Sequence, residues 1–432
     1  MSYWNKEAET LSRDELTVLQ NKRLGEALTR AYRVPIYRAK MDTAGIAPGD
    51  ITSIEQLHTL PYTLKTDLRD GYPFGMFAVP MSDVVRIHAS SGTTGKQTVV
   101  GYTRKDIELW SECMARCMTM AGATKDDVVH VAYGYGLFTG GLGGHYGDET
   151  IGAATIPAST GNTKRQLQMF EDFGSTVLLC TPSYAMHLGD SVRAAGIKDN
   201  IKLRIGIHGA EPWTEEMRLE IEDRLGISCY DIYGLSEILG PGVSCDCPEH
   251  KGLHVWEDHF YVEVVDPATG KPQPDGVPGE LVFTCLTKEA LPLIRYNTRD
   301  ITTITRAPCA CGRTHTRMGK ITGRTDDMLI IRGINVFPSQ VESVLLGIPE
   351  VAPYYFMIVD RQGDLDTLEV QVEMKEDFQF DKVRRVEELE SRIHREMLSV
   401  LSISAKVRIV APGTIERSEG KAKRVLDKRK LV

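Results

Sequence analysis

Between residues 128 and 232, short apolar runs alternate with amphipathic ones, and this alternation constrains the fold more than anything else in the 432-residue chain. Residues 128–132, 176–180, 201–207 and 228–232 have the length and composition of strands, while 164–173, 184–195 and 214–225 repeat apolar residues at helical spacing. Strands this short and uniformly apolar are buried on both faces, which predicts a parallel sheet covered by helices. In such a sheet the loops that follow the strands carry the chemistry.

The flanking sequence has a different character. Residues 10–40 follow helical spacing through Leu16, Leu19, Leu24, Leu28 and Ala31. Thr52-Ser53-Ile54-Glu55 and Thr103-Arg104-Lys105-Asp106 read as capping boxes, the second opening a helix to about Met120. From Leu253 onward, longer β runs and turns predict a β-rich lobe over 253–322, with strands at 261–265 and 279–283. After Gly323-Arg324-Thr325-Asp326-Asp327 the pattern starts afresh: a strand at 328–331, then a capping box over Ser339–Glu342 that opens a helix. Strands at 354–360 and 368–374, a helix at 383–398 and a strand at 407–410 complete it. The expected fold class is α/β. A large N-terminal domain, 1–325, holds the parallel sheet with its covering helices and the β-rich lobe. A small mobile C-terminal α+β domain, 326–432, follows a hinge at Asp326.

Ser90-Ser91-Gly92-Thr93-Thr94-Gly95-Lys96 packs two glycines, four hydroxyls and a lysine into seven residues. Glycine lets backbone N–H groups turn inward, hydroxyls add donors, and lysine adds a point charge, so the loop suits a polyphosphate. On composition alone it also suits an ordinary polar turn. Its flanks, 84–88 and 97–102, both read as strands. A Walker loop would enter a helix and carry Ser or Thr after its lysine, whereas Gln97 follows Lys96 here. The expected device is a strand–loop–strand phosphate hairpin.

A net charge of −8 opposes general nucleic-acid binding and requires any polyphosphate site to be locally positive. No apolar run reaches the ~18 residues that span a bilayer. Residues 1–7 lack the basic-then-apolar pattern of a signal peptide, so the expected location is cytoplasmic.

Further constellations sit where strands end. Tyr230-Asp231-Ile232-Tyr233-Gly234-Leu235-Ser236-Glu237 offers an aromatic for a base, a hydroxyl for a phosphate and a carboxylate for magnesium; the same residues also suit a capped strand-to-helix turn. In Gly206-Ile207-His208-Gly209-Ala210-Glu211-Pro212, Gly209 and Ala210 admit a flat ligand, and Glu211 either faces it or caps the helix near Thr214. Asp300, after Arg295-Tyr296-Asn297-Thr298-Arg299, suits two ribose hydroxyls or an ion pair with Arg295 or Arg299. The glycine-rich 133–141 stretch carries Tyr135 and Phe138 as walls for a planar apolar group. Near the C-terminus, Lys421 follows Gly420 in a basic loop, either solvated surface or a charge for a transition state.

Of nine cysteines, Cys113, Cys117, Cys180, Cys229 and Cys285 have apolar neighbours and read as buried thiols. Cys245-Asp246-Cys247 and Cys309-Ala310-Cys311, with His250 and His254 nearby, suit tetrahedral zinc. The favoured set is Cys247, His254, Cys309 and Cys311, with Cys245 and His250 as substitutes and unrelated reduced thiols as the alternative.

Taken in order, Ser90–Lys96, Tyr233–Glu237, Arg295–Asp300 and Gly323–Asp327 resemble the motifs of the adenylate-forming superfamily. Residues 133–141 and 328–338 make the chain similar, along nearly its whole length, to the phenylacetate–coenzyme A ligases. The resemblance implies a two-step reaction in which phenylacetate and ATP give an acyl adenylate, and coenzyme A then gives phenylacetyl-CoA and AMP. Another aryl acid (benzoate, indoleacetate, hydroxyphenylacetate) or a non-CoA acceptor is the alternative. A zinc-stabilised nucleotide-binding regulator without turnover is a third reading. The resemblance implies that Ser90, Ser91, Gly92, Thr93, Thr94 and Lys96 hold the phosphates. Ala210, Glu211, Pro212, Asp231 and Tyr233, with Ile232 and Gly234, surround adenine. Ser236 meets the α-phosphate, Glu237 binds magnesium, Asp300 grips the ribose with Arg324 nearby, and Lys421 serves adenylation. Tyr135, Phe138 and Gly209 line the acid pocket, and Asp326 is the hinge that brings Gly333 to coenzyme A. The chain is shorter than most of the superfamily, which in this subfamily goes with a homodimer.

Overall fold

The computed structural model describes residues 2–90, 97–325, 329–331, 334–362, 365–375, 378, 383–401, 403–417 and 424–429. The chain forms two compact units: residues 1–180, 196–210 and 226–320 make the first, and 181–195, 211–225 and 321–432 the second.

The first unit is organised by a nine-stranded sheet. Its parallel half runs Ala154–Ile156, Val128–Val131, Val177–Cys180, Ile205–Gly209 and Ser228–Leu235 in spatial order. All four predicted strands are present, although the third starts at Ile205, four residues after its expected start at Ile201. The sheet then continues antiparallel through Gly240–Asp246, Leu253–Val255, Arg317–Met318 and Ile304–Thr305. Part of the expected β-rich lobe is thus an extension of the main sheet. The rest, Phe260–Val265, Gly279–Cys285 and Tyr296–Thr302, is a separate antiparallel array.

Thr103 caps the helix Arg104–Ala121 as its sequence implies: its Oγ1 accepts from Asp106 N at 3.1 Å and Asp106 accepts from Thr103 N at 2.9 Å. The helix Gly140–Ile151 was not legible, because glycine is a poor helix former and this helix holds Gly140, Gly141, Gly143, Gly144 and Gly147. Packing explains it. A Cβ on Gly143 would lie 2.7 Å from Trp110, so glycine allows this helix to lie directly against Arg104–Ala121.

The second unit contains a four-stranded sheet in the order Lys406–Val410, Leu365–Met374, Val351–Gln362 and Val425–Asp427. Helices Pro338–Leu346 and Val383–Leu401 share its apolar core, in which Val341, Leu345, Met357, Val370, Ile393 and Met397 are buried. The first of these helices starts at Pro338 with Phe337 at its cap, so Ser339 lies inside the helix and is not the cap expected. Proline fits that first position because the N–H it lacks would have no partner there. No described helix is long and apolar enough to cross a membrane.

Candidate active site

Strands Ile205–Gly209 and Ser228–Leu235 are parallel neighbours, with His208 opposite Asp231 and Gly209 opposite Ile232. That register brings Gly209-Ala210 and Asp231–Tyr233 side by side at one end of the sheet. A Cβ at Gly209 would collide with the Ile232 carbonyl, so only glycine permits the pairing. Ala210 has φ +72°, a left-handed conformation rare for a side-chain-bearing residue and concentrated at functional turns.

The Tyr233 hydroxyl donates to Asp300 Oδ2 at 2.6 Å. Nearby, Arg295 pairs with Glu263 and Arg299 with Glu280, each at 3.0 Å. The side chains expected for adenine and ribose therefore meet, although 67 residues separate them. Ser236 Oγ lies 3.0 Å from Thr139 Oγ1, a contact that the spacing in sequence gave no hint of. The Glu237 carboxylate is 3.3 Å from Lys65 Nζ. Ser90 ends the first strand of a hairpin, Arg86–Ser90 with Thr98–Tyr102, and its Oγ is buried with no partner among the described residues. Ser91, Gly92, Thr93, Thr94, Lys96, Asp326, Gly333 and Lys421 lie outside the described residues.

Tyr135 places its hydroxyl 3.4 Å from His145 Nδ1, and His145 Nε2 lies 3.2 Å from Glu149. Burial, helped by the nearby Asp148 and Glu149 charges, raises the Tyr135 phenol above its ordinary range. Phe138 is exposed. In the second unit, Glu211 accepts from Ser183 N at 2.7 Å and so caps the helix Pro182–Ala195, while Thr214 Oγ1 accepts from Met217 N at 3.2 Å at the start of the helix Glu215–Leu225. Pro212 and Arg324 belong to this unit as well.

Cys247, His254, Cys309 and Cys311 converge, with their donor atoms within 4.8 Å of one another and all four residues buried. Cys247 Sγ is 3.8 Å from Cys309 Sγ, and Cys311 Sγ is 3.3 Å from His254 Nε2. A disulfide needs about 2.05 Å. Ligands about 2.3 Å (sulfur) and 2.0 Å (nitrogen) from a tetrahedral zinc stand roughly 3.5–3.8 Å apart, which these separations approach. Hydrogen bonding from Cys247 and then His254 holds the Cys311 thiol well below its ordinary value, and His254 does the same for Cys309. The substitutes are otherwise engaged: His250 pairs with Asp246 at 2.6 Å and stacks on Tyr230, while Cys245 hydrogen-bonds with Cys117.

The stretch that follows the last cysteine clasps the start of the chain. Tyr3 donates to the Cys311 carbonyl at 2.8 Å, and Thr314 Oγ1 to the Leu11 carbonyl at 2.6 Å. Arg313 reaches the Ser2 carbonyl and the buried Glu9 carboxylate, each at 2.7 Å.

Comparison with known proteins agrees with this geometry. Residues 47–284 match the family model of AMP-binding enzymes, and 333–429 match that of the AMP-binding enzyme C-terminal domain. A phenylacetate-coenzyme A ligase of Thermus thermophilus is 51% identical over 99% of this chain and all of its own length. One from Escherichia coli K12 is 52% identical over 98% of this chain and 97% of its own. Among solved structures, a 2-hydroxyisobutyryl-CoA ligase in its postadenylation state with R3-HIB-AMP superposes with a TM-score of 0.93 at 29% identity, covering 99% of this chain and 92% of its own. The same ligase with 2-HIB-AMP and CoA in its thioesterification state gives 0.74 at 30% identity, covering 99% of this chain and 93% of its own. This chain belongs to the phenylacetate–coenzyme A ligase family of AMP-binding enzymes.

Proposed function

We propose that this protein is an ATP-dependent phenylacetate–CoA ligase, and the Tyr233–Asp300 hydrogen bond between strands Ser228–Leu235 and Tyr296–Thr302 is the observation that carries the reading. Its relatives at about half identity, matched over essentially their full length, support the same activity.

A carboxylate resists nucleophilic attack because its charge is delocalised. In the first step a carboxylate oxygen of phenylacetate attacks the α-phosphorus of ATP, the bond to the bridging oxygen breaks, and pyrophosphate leaves. In the second, the sulfur of coenzyme A attacks the acyl carbon, AMP leaves with the bonding electrons, and the thiol proton passes to solvent. Tyr233 stacks on the adenine between 210–212 and 231–234, and Asp300 accepts from the ribose hydroxyls with Arg324 nearby. The hairpin loop 90–96 wraps the β- and γ-phosphates with N–H groups, hydroxyls and Lys96. Ser236 donates to the α-phosphate, and Lys421 offsets the charge that grows there. Tyr135, Phe138 and Gly209 bound the aryl ring.

Glu237 supplies a hard carboxylate oxygen, which suits magnesium, and the ion would neutralise phosphate charge. Cys247, His254, Cys309 and Cys311 form a closed donor set that suits structural zinc. The small lobe, 326–432, turns at Asp326, withdrawing Lys421 and presenting Gly333 to coenzyme A. The postadenylation and thioesterification forms of the 2-hydroxyisobutyryl-CoA ligase support such a cycle. The protein works in the cytoplasm as a homodimer.

A panel of aryl acids in a coenzyme A-dependent AMP assay tests the reading. Phenylacetate should give the highest kcat/KM. AMP release that needs neither acid nor coenzyme A would contradict it, and preference for benzoate or indoleacetate would move the substrate while keeping the chemistry.

A further inference from the structure

The loop Ser236–Leu239 has little regular structure of its own, yet each of its four carbonyls meets a buried side-chain donor. The Tyr102 hydroxyl lies 3.3 Å from the Ser236 carbonyl and 3.0 Å from that of Leu239. Lys288 Nζ donates to the Glu237 carbonyl at 3.1 Å, and Cys285 Sγ to the Ile238 carbonyl at 3.7 Å. Lys288 is fully buried, with its ammonium 4.6 Å from the centre of the Tyr102 ring, and no carboxylate forms an ion pair with it among the described residues. Burying an ammonium without a carboxylate partner is costly, and simple packing would be served better by methionine or leucine. The turn that carries Lys288, just after the strand Gly279–Cys285, is itself pinned. Asp106, at the start of the helix Arg104–Ala121, accepts from Glu289 N at 2.6 Å and from Ala290 N at 2.9 Å.

We propose that Lys288 is a positioning residue for adenylation, its buried ammonium holding the Glu237 carbonyl so that the side chains of Ser236 and Glu237 stay turned towards magnesium and the triphosphate. The proposal rests on the ligase reading above. A carbonyl anchored from below fixes the peptide plane, and the plane sets where the side chain points. Tyr102 serves the same platform through its hydroxyl, with the Lys288 ammonium over its ring. Both residues are fully buried behind the loop and bond its carbonyls, so both act through it.

The test is calorimetric binding of Mg-ATP and of adenosine to the full chain, without acid or coenzyme A, for wild type, Lys288→Met and Tyr102→Phe. Lys288→Met keeps the side-chain length and removes the charge. It should weaken Mg-ATP binding roughly tenfold, in line with loss of a charged hydrogen bond. It should also raise the magnesium concentration needed for half-saturation while leaving adenosine affinity unchanged. A merely structural role would weaken both ligands together, and that result overturns the proposal, as does Mg-ATP binding equal to wild type. Tyr102→Phe should shift the magnesium requirement in the same direction and less far. Should Lys288→Met fail to fold, an unchanged requirement in Tyr102→Phe overturns the platform by itself. Wild-type protein that binds no Mg-ATP overturns the ligase reading and this proposal together, whereas a binding wild type with an unaltered Lys288→Met removes the proposal alone.

Discussion

One strand, Gly240–Asp246, joins two regions built on opposite plans. It leaves the loop Ser236–Leu239 at one end and delivers Cys247 at the other. At the Cys247 end, the donor atoms of side chains point inward at one another, and the next residues hold the start of the chain through the Cys311 carbonyl and the side chains of Arg313 and Thr314. At the loop end the arrangement is inverted: buried side chains hold the backbone carbonyls, and the side chains of Ser236 and Glu237 meet only the hydroxyl of Thr139 and the ammonium of Lys65 among the described residues. A site that must only hold can close on itself, whereas a site that must bind and release is supported from behind.

The contrast can be broken most severely on the nucleotide side. Lys421→Ala should lower phenylacetate-dependent pyrophosphate exchange by on the order of a hundredfold or more, with Mg-ATP binding retained. Exchange at the wild-type rate would remove Lys421 from the chemistry.

On the holding side, Arg313→Met removes the cation paired with the buried Glu9 and leaves its carboxylate only the N–H groups of Trp4 and Asn5 among the described residues, which should cost roughly 3–5 kcal/mol of stability. Hydrogen exchange should show residues 2–11 losing protection, while adenosine binding persists in the folded fraction. Continued protection of that segment would mean the clasp is decorative.

Zinc sharpens the same point. Protein purified without chelator should contain the metal, and Cys311→Ser should lose it, with melting lowered by several degrees. Elemental analysis without zinc in the wild type would leave the four donors as reduced thiols.

The smallest effect concerns the second unit. Burial raises Glu342 to about 7 from 4.5; Arg424 pulls the other way and Glu211 adds to the rise. Tyr355 also faces it, and Arg424 Nη2 stands 3.6 Å from its carboxylate. A raised carboxyl contributes its stability fully below about pH 4.5 and loses it as pH climbs through about 7. Glu342→Gln should therefore melt like wild type in acid and higher than wild type above pH 7. Parallel melting curves across that range would contradict the shift.

What the sequence revealed about these regions follows the same division. The Cys/His quartet was readable because its chemistry requires particular residue types at short spacing, and the favoured set is the one that converges. The strands that carry Gly209 and Tyr233 were readable from their apolar runs, although each continues past its expected end, to Gly209 beyond Ile207 and to Leu235 beyond Ile232. The platform beneath the loop was not, because Tyr102 and the pair Cys285 and Lys288 are ordinary residues far in the chain from one another and from the loop, and only folding brings them together. The helix Gly140–Ile151 was hidden for a related reason: its glycines oppose local helix propensity and make sense only in the fold, where Gly143 meets Trp110, Gly147 meets Met114 and Gly144 meets Leu179. The capping role of Glu211 likewise depends on a helix that begins 29 residues earlier, at Pro182.

A crystal structure of the full protein grown with phenylacetate, ATP and magnesium tests the central claim most directly. The account predicts a nucleotide whose adenine lies against Tyr233, whose ribose hydroxyls bond Asp300 and whose α-phosphate meets Ser236. A nucleotide bound away from all three residues would contradict it.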